Sequence, residues 1–327
     1  MTTSDRPLVE VKDLHVRFRG ERNVHAVNGV DFALARGEVL GILGESGSGK
    51  SVTLKAFLRL LPEKRTTISG SIRVGDADVL ALGPEALAGF RGKTASMIFQ
   101  EPMLALDPVY TVGRQIAEAV ERHEKLSKAD ARQRALEMLE RVRIPSPERR
   151  LDSYPHEMSG GMRQRAMIAL ALACRPQVLL ADEPTTALAA TVQIQILLLL
   201  RELQRELGMA AIFVTHDIGV AVEVSDRIAV MYAGRVVETG SVADIVRRPS
   251  HPYTRGLLAS TVHGAMRGKR LDAIPGAPPA LSEAPKACSF APRCGEVQPE
   301  CKARVPGVVA VGPGHLSRCV RSVAASG

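Results

Sequence analysis

A glycine-rich segment early in the chain has the residue types and spacing with the clearest chemistry. It reads GESGSGKS, matches the pattern Gly-x-x-x-x-Gly-Lys-Ser/Thr and directly follows the apolar run VLGIL. Backbone N–H groups of such a loop, with the start of the helix behind it, surround phosphate oxygens. In this pattern the lysine, Lys50, reaches the β- and γ-phosphates, and the residue after it, Ser51, ligates Mg²⁺. The predicted nucleotide-phosphate site consists of Gly44, Glu45, Ser46, Gly47, Ser48, Gly49, Lys50 and Ser51.

Two adjacent carboxylates end a second apolar run, VLLADEP. Ligands of open α/β sheets bind at the carboxyl ends of the strands, where Asp182 and Glu183 stand. Asp182 is suited to hold Mg²⁺, and Glu183 is suited to polarise an attacking water. His216 ends the next apolar run, AIFVTH, and is placed to contact a γ-phosphate. Together with the glycine-rich segment, these residues predict a site that hydrolyses a nucleotide.

Apolar runs predict the strands that position these residues. Leu8–Phe18 and Ala26–Leu34 alternate like half-exposed antiparallel strands. Continuous apolar runs suit parallel strands that are covered on both faces. These runs are Val39–Leu43, Ala95–Phe99, Val178–Ala181, Ala211–Val214 and Ile228–Tyr232.

Helical periodicity dominates the middle of the chain. Thr111–Glu124 and Lys128–Arg143 carry helix-spaced apolar residues, and Ser127 is a suitable N-cap for the second helix. We therefore expect an α/β fold in which a parallel sheet with an antiparallel flank is interrupted by a helical insert between about 102 and 175.

Composition excludes several classes of protein. The chain has 327 residues, which suggests one large domain with an appendage or two domains. With 45% apolar and 24% charged residues it is neither mostly disordered nor collagen-like. Aromatic residues make up 3% and Trp is absent, which argues against a nucleic-acid partner that stacks bases.

No leader-like segment and no apolar run near ~20 residues is visible, so we expect a cytosolic chain without a membrane span.

The C-terminal residues differ in composition from the rest. Residues 254–327 contain ten basic and four acidic side chains, against a net charge of +8 for the whole chain. They also hold eight of the 20 prolines and four of the five cysteines. We therefore expect a separate unit at 254–327, after a main domain at 7–253.

A third motif gives the chain a family resemblance. The run MSGGMRQR places Ser159, Gly160 and Gly161 at a predicted helix start. With the phosphate loop, Gln100 in IFQEP, the DE strand and His216, this run resembles the ATP-binding-cassette ATPases over roughly residues 7–253. The resemblance implies that Gln100 also binds Mg²⁺ and acts in catalysis beside Glu183 and His216. It further implies that Phe18 stacks on adenine.

The resemblance also implies how such a chain works. In this family two cassettes close on two ATP molecules, and Ser159 and its glycines contact the γ-phosphate held by the partner subunit. The expected partners are a second ATPase subunit (in a heterodimer), two permeases and an extracytoplasmic binding protein. The expected location is peripheral, at the cytoplasmic face of the cell membrane.

One position departs from the family pattern. After Glu183 the chain reads PTTALAA, and Ala189 stands where the family usually has Asp. That Asp couples the two ATP sites, so the substitution leaves open whether both sites are active. The alternatives are compensation by the partner cassette and a catalytically weak, regulatory cassette.

The tail resembles the C-terminal extension of the oligopeptide and dipeptide importer ATPases. The resemblance rests on HPYT from residue 251, on PGAPP, and on the run CSFAPRC. It implies that Cys288, Cys294, Cys301 and Cys319 hold a [4Fe-4S] cluster; a Zn²⁺ site or unliganded thiols are the alternatives.

The resulting expectation is an ATPase that powers import of di- or oligopeptides. Nickel, glutathione or another small solute is the alternative cargo. A DNA-repair ATPase of the same superfamily would carry a long insertion between the phosphate loop and the SGG run, which this chain lacks.

Overall fold

The computed structural model describes residues 6–185, 189–260 and 274–322. Within these ranges the strands are β1 (Val9–Phe18), β2 (Val24–Leu34), β3 (Val39–Leu43), β4 (Thr66–Val74), β5 (Ala77–Asp78), β6 (Ala95–Ile98), β7 (Val178–Asp182), β8 (Ala210–Thr215), β9 (Arg227–Tyr232), β10 (Arg235–Ser241), β11 (Val309–Gly312) and β12 (His315–Ser317). The helices are α1 (Lys50–Phe57), α2 (Pro84–Lys93), α3 (Pro102–Ala105), α4 (Val112–Glu124), α5 (Lys128–Arg141), α6 (Pro147–Leu151), α7 (Gly160–Leu172), α8 (Ala190–Leu207), α9 (Ile218–Val224), α10 (Val242–Arg247), α11 (Pro252–Ala259) and α12 (Pro299–Ala303). No helix in these ranges is both long and apolar enough to cross a bilayer.

The chain divides into two compact units. The first draws on the described parts of Met1–Leu34, Val39–Leu80 and Val214–Gly327, and the second on those of Ala35–Glu38 and Ala81–Phe213.

Two sheets build the first unit. One is antiparallel, with strand order β2-β1-β4-β5. In the other, β3 and β9 pair in parallel, and β10 and β12 follow β9 as antiparallel neighbours. The buried strand β3 ends at Leu43, and α1 begins at Lys50, so the glycine-rich segment connects a parallel strand to a helix.

The second unit combines parallel strands with helices. Strands β6 and β7 pair in parallel, and β7 lies between β6 and β8 in the sheet order. Helices α3 to α7 occupy the chain between β6 and β7. Helix α4 buries Val112, Ile116 and Val120 on one face, which is the spacing of an amphipathic helix. Ser127 accepts a hydrogen bond from the Asp130 amide at 3.2 Å, so the predicted N-cap of α5 is confirmed.

These elements confirm the predicted fold class. All seven predicted strands occur within one or two residues of their expected ends. Strands β4, β5, β10, β11 and β12 were not predicted. The segments of β4, β10 and β12 are rich in polar residues or glycine, β5 has only two residues, and the short apolar run at β11 was not recognised as a strand.

The tail is attached to the first unit through a sheet and through its core. Strand β12 pairs with β10, and β11 pairs with β12. Phe290 is buried in a cluster with Tyr232 and Tyr253, and its ring centroid lies 5.3 Å and 5.4 Å from theirs. Aromatic pairs at this spacing add to the stability that burial provides. The tail therefore shares the core of the unit.

Candidate functional site

Two glycines of the phosphate loop stand where no side chain fits. A Cβ on Gly44 would collide with the carbonyl oxygen of Met231, and one on Gly49 with that of Ala26. Gly49 is the N-cap of α1 and has a φ of 98°, a conformation that glycine adopts at little cost. The loop thus lies close against neighbouring backbone, and the exposed Ser46 and Gly47 form its rim.

The cationic group of the loop points back at the loop's own carbonyls. Lys50 is 5% exposed, and its Nζ donates to the carbonyl oxygens of Gly44 at 2.7 Å and Glu45 at 3.0 Å. The hydroxyl of Ser48 is buried and has no hydrogen-bond partner among the described residues. Buried polar groups are normally paired, so this hydroxyl fits a loop that receives a polar ligand. A buried ammonium and an unpaired hydroxyl beside a helix start form a cradle that fits phosphate.

The carboxylates lie in the second unit. Asp182 is the last residue of β7 and is 3% exposed. Glu183 follows with a φ of 44°, a left-handed conformation that costs a non-glycine residue about 1–3 kcal/mol and is concentrated at functional sites. Gln100 is exposed, and its Nε2 donates to Glu183 Oε2 at 3.3 Å. The structure thus brings together Gln100 and Glu183, which are far apart in the sequence.

The SGG run begins a helix and faces solvent. Ser159 is the N-cap of α7, and its hydroxyl accepts from the Met162 amide at 3.3 Å. Ser159 and Gly160 are exposed, and Gly161 is half-buried beside Val192. The amides of a helix's first turn lack partners within the helix, so this exposed end suits an anion.

Phe18 and His216 stand at strand ends in the first unit. Phe18 is half-buried as the last residue of β1, where it pairs with Val24 and Thr66. His216 directly follows β8 and is exposed.

Three residues that contact the predicted site residues, or their direct neighbours, within each unit were not predicted. Arg293 and Tyr253 contact Glu45 in the phosphate loop, and Gln164 donates to the carbonyl of Pro184, next to Glu183. Sequence separations of 248, 208 and 20 residues leave no local pattern that would reveal these contacts.

The predicted [4Fe-4S] cluster is wrong, and so is its Zn²⁺ alternative. Among the described residues, no group of three or more His, Cys, Asp or Glu side chains could hold a metal ion. Cys288, Cys294, Cys301 and Cys319 are free thiols that line one pocket together with Phe290. Burial raises the pKa of Cys288 and of Cys294, which keeps both as neutral thiols in the folded tail.

The tail is held by its contacts with the rest of the first unit. In the structure, Phe290 and Cys301 are buried, and β12 pairs with β10. Sheet pairing and burial therefore hold the tail.

The position that departs from the family pattern is the start of α8. Ala189 is the exposed N-cap of this helix, and its carbonyl accepts from the Gln193 amide at 2.9 Å. Its side chain offers no acceptor to the helix amides. Residues 186–188, which precede it, lie outside the described residues.

In the cassette family that the sequence resembles, the missing acid couples two ATP sites, so replacing Ala189 with Asp should raise the rate of ATP hydrolysis if its absence limits that coupling. It should also stabilise the chain by about 0.5–2 kcal/mol, because Asp caps a helix and Ala does not. Steady-state ATPase assays and urea unfolding measure the two effects separately. Ala189→Asn is the matched control, since it caps α8 without a charge. An unchanged or lower rate in Ala189→Asp would indicate compensation by the partner cassette.

Comparison with known proteins gives two family matches. Residues 27–186 match the family described as ABC transporter, and residues 237–301 match the oligopeptide/dipeptide transporter C-terminal region.

Similar proteins match over most of the chain. The probable peptide ABC transporter ATP-binding protein y4tR of Sinorhizobium fredii is 52% identical over 319 residues, 96% of this chain and 95% of its own. The oligopeptide transport ATP-binding protein OppD of Bacillus subtilis is 51% identical over 280 residues, 84% of this chain and 78% of its own. A solved dimeric structure of the ATP-binding cassette MJ0796, in a post-hydrolysis state bound to ADP and Pi, has a TM-score of 0.64 and 30% identity. That match covers 72% of this chain and 98% of the cassette.

Proposed function

This chain belongs to the ABC transporter ATPases, in the branch that carries the oligopeptide/dipeptide transporter C-terminal region, and from that premise we propose that it hydrolyses ATP to power the import of peptides. The observation that carries the proposal is the presence of both family regions in one chain. The ATPase region accounts for nucleotide hydrolysis, and the C-terminal region is described for oligopeptide and dipeptide transporters. We also propose that the nucleotide-binding domain spans 7–253 and the extension 254–327.

Each site residue has a proposed role. The phosphate loop binds the triphosphate through its amides and through Lys50, and Phe18 stacks on adenine. Ser51, Gln100 and Asp182 supply oxygen ligands that fit Mg²⁺, which neutralises phosphate charge when it is bound.

Glu183 orients the attacking water and accepts its proton. The hydrogen bond from Gln100 supports this role, because it holds the carboxylate in one orientation. His216 contacts the γ-phosphate.

Assembly follows from the family. The chain works with a second cassette and with membrane permease subunits. The exposed SGG run supports a role toward the partner's nucleotide, because its helix start is open to solvent. We further propose a heterodimer of cassettes, two permeases, an extracytoplasmic binding protein and a location at the cytoplasmic face of the membrane.

Reconstitution tests the proposed cargo. We expect the complete transporter, assembled in liposomes, to accumulate labelled peptide only with ATP and a peptide-loaded binding protein. Its ATPase rate should rise with peptide but not with nickel or glutathione. Stimulation by nickel or glutathione alone would replace the peptide assignment with that cargo. Absence of ATP hydrolysis in the complete complex would contradict the proposal as a whole.

A further inference from the structure

A buried arginine of the tail forms an ion pair with the phosphate loop. Arg293 Nη1 donates to Glu45 Oε2 at 2.7 Å, and Arg293 Nη2 donates to Glu45 Oε1 at 3.0 Å. The arginine side chain is 4% exposed and that of Glu45 is 29% exposed. Two parallel hydrogen bonds between a guanidinium and a carboxylate form the strongest and most directional kind of ion pair.

The tail holds this arginine in one orientation. Arg293 Nε donates to the carbonyl of Pro275 at 2.9 Å, and Nη2 also donates to that of Ile274 at 3.3 Å. Nη1 donates in addition to the hydroxyl of Tyr232 at 3.3 Å. Because its other donors are engaged, the guanidinium stays aimed at Glu45 without further ordering of a long side chain.

Glu45 is held at its backbone as well. Its amide donates to the hydroxyl of Tyr253 at 2.9 Å, and its carbonyl accepts from Lys50 Nζ at 3.0 Å. Tyr253 is fully buried in the aromatic cluster with Tyr232. The residue that helps to position the phosphate-binding lysine is therefore anchored by two side chains from outside the loop.

The charge of Glu45 makes this anchor relevant to ATP. A carboxylate in a loop that binds phosphates repels a polyphosphate, and the repulsion is strong where solvent is partly excluded. Pairing with a guanidinium cancels that charge, whereas removal of one partner from a buried pair leaves the other uncompensated.

We propose that Arg293 is a positioning residue for ATP: it neutralises Glu45 and fixes the loop backbone that places Lys50. This inference rests on the proposed function, and it makes the tail a determinant of nucleotide affinity. Because coupling of binding is reciprocal, ATP in turn strengthens the attachment of the tail.

A double-mutant cycle on the full-length chain tests the proposal by titration with a fluorescent ATP analogue. We expect Arg293→Met to weaken binding by about tenfold or more, and Arg293→Lys to recover part of the loss, since lysine keeps the charge but not the paired geometry. Glu45→Gln should also weaken binding, because it leaves the buried guanidinium without its paired carboxylate and removes one anchor of the loop. The double variant Arg293→Met/Glu45→Gln should bind more tightly than Arg293→Met, because the unpaired carboxylate is gone. Arg304→Met, which changes an exposed arginine of the tail, is the control.

A kinetic readout separates positioning from general damage. In the assembled transporter, Arg293→Met should raise the KM for ATP while kcat changes little. Wild-type affinity in Arg293→Met would overturn the proposal. So would a double variant as weak as Arg293→Met, since the arginine would then act only as a structural support of the tail. A wild-type chain that fails to bind ATP would instead contradict the proposed function.

Discussion

Replacing Glu183 with Gln should leave ATP binding intact and slow hydrolysis by about 100-fold or more, which is the contribution expected of a general base. The amide keeps the size of the side chain but cannot accept a proton from the attacking water. The hydrogen bond from Gln100 reaches Oε2 of Glu183, and a glutamine side chain can still offer an oxygen there. The variant should therefore bind nucleotide with near-normal affinity and accumulate in the ATP-bound form.

Single-turnover hydrolysis and nucleotide titration of the assembled complex separate the two steps. Glu85→Gln is the matched control, because it removes an exposed carboxylate from the same unit at the start of α2. Hydrolysis at the wild-type rate in Glu183→Gln would remove Glu183 from its proposed role. A loss of ATP binding of the same size would show that the carboxylate is needed for structure.

Replacing Lys50 with Ala should abolish most of the affinity for ATP. The ammonium is the cation of the phosphate loop, and its two hydrogen bonds to the carbonyls of Gly44 and Glu45 hold the loop closed upon itself. Hydrogen bonds that involve a charged group contribute about 1.5–3 kcal/mol each, so the variant loses both the charge and the order of the loop.

Thermal unfolding with and without MgATP measures this loss. A ligand present at 100 times its Kd stabilises the folded state by about 2.7 kcal/mol, so the wild-type chain should melt at a clearly higher temperature with nucleotide. Lys50→Ala should lose that shift, whereas Lys64→Ala, at an exposed lysine of the same unit, should keep it. An equal shift in Lys50→Ala and wild type would show that Lys50 does not bind the phosphates.

Local sequence determined the elements and motifs. Val39–Leu43 is apolar throughout and forms the buried strand β3, and the glycines after it allow the turn into α1. The Ser127 cap was equally readable, because a cap depends on residues three positions apart. Signals of this kind depend on residues that are only a few positions apart, so they can be recognised in a single sequence.

Tertiary structure alone decided how the tail is held and what it contacts. The spacing of the four cysteines says nothing about where their side chains point, and in the folded tail they are free thiols beside Phe290. The ion pair between Arg293 and Glu45 joins residues 248 positions apart. It exists because the tail packs into the core of the first unit and strand β12 pairs with β10. Contacts of this kind depend on which surfaces of the chain pack together, and a local pattern of residues does not determine that packing.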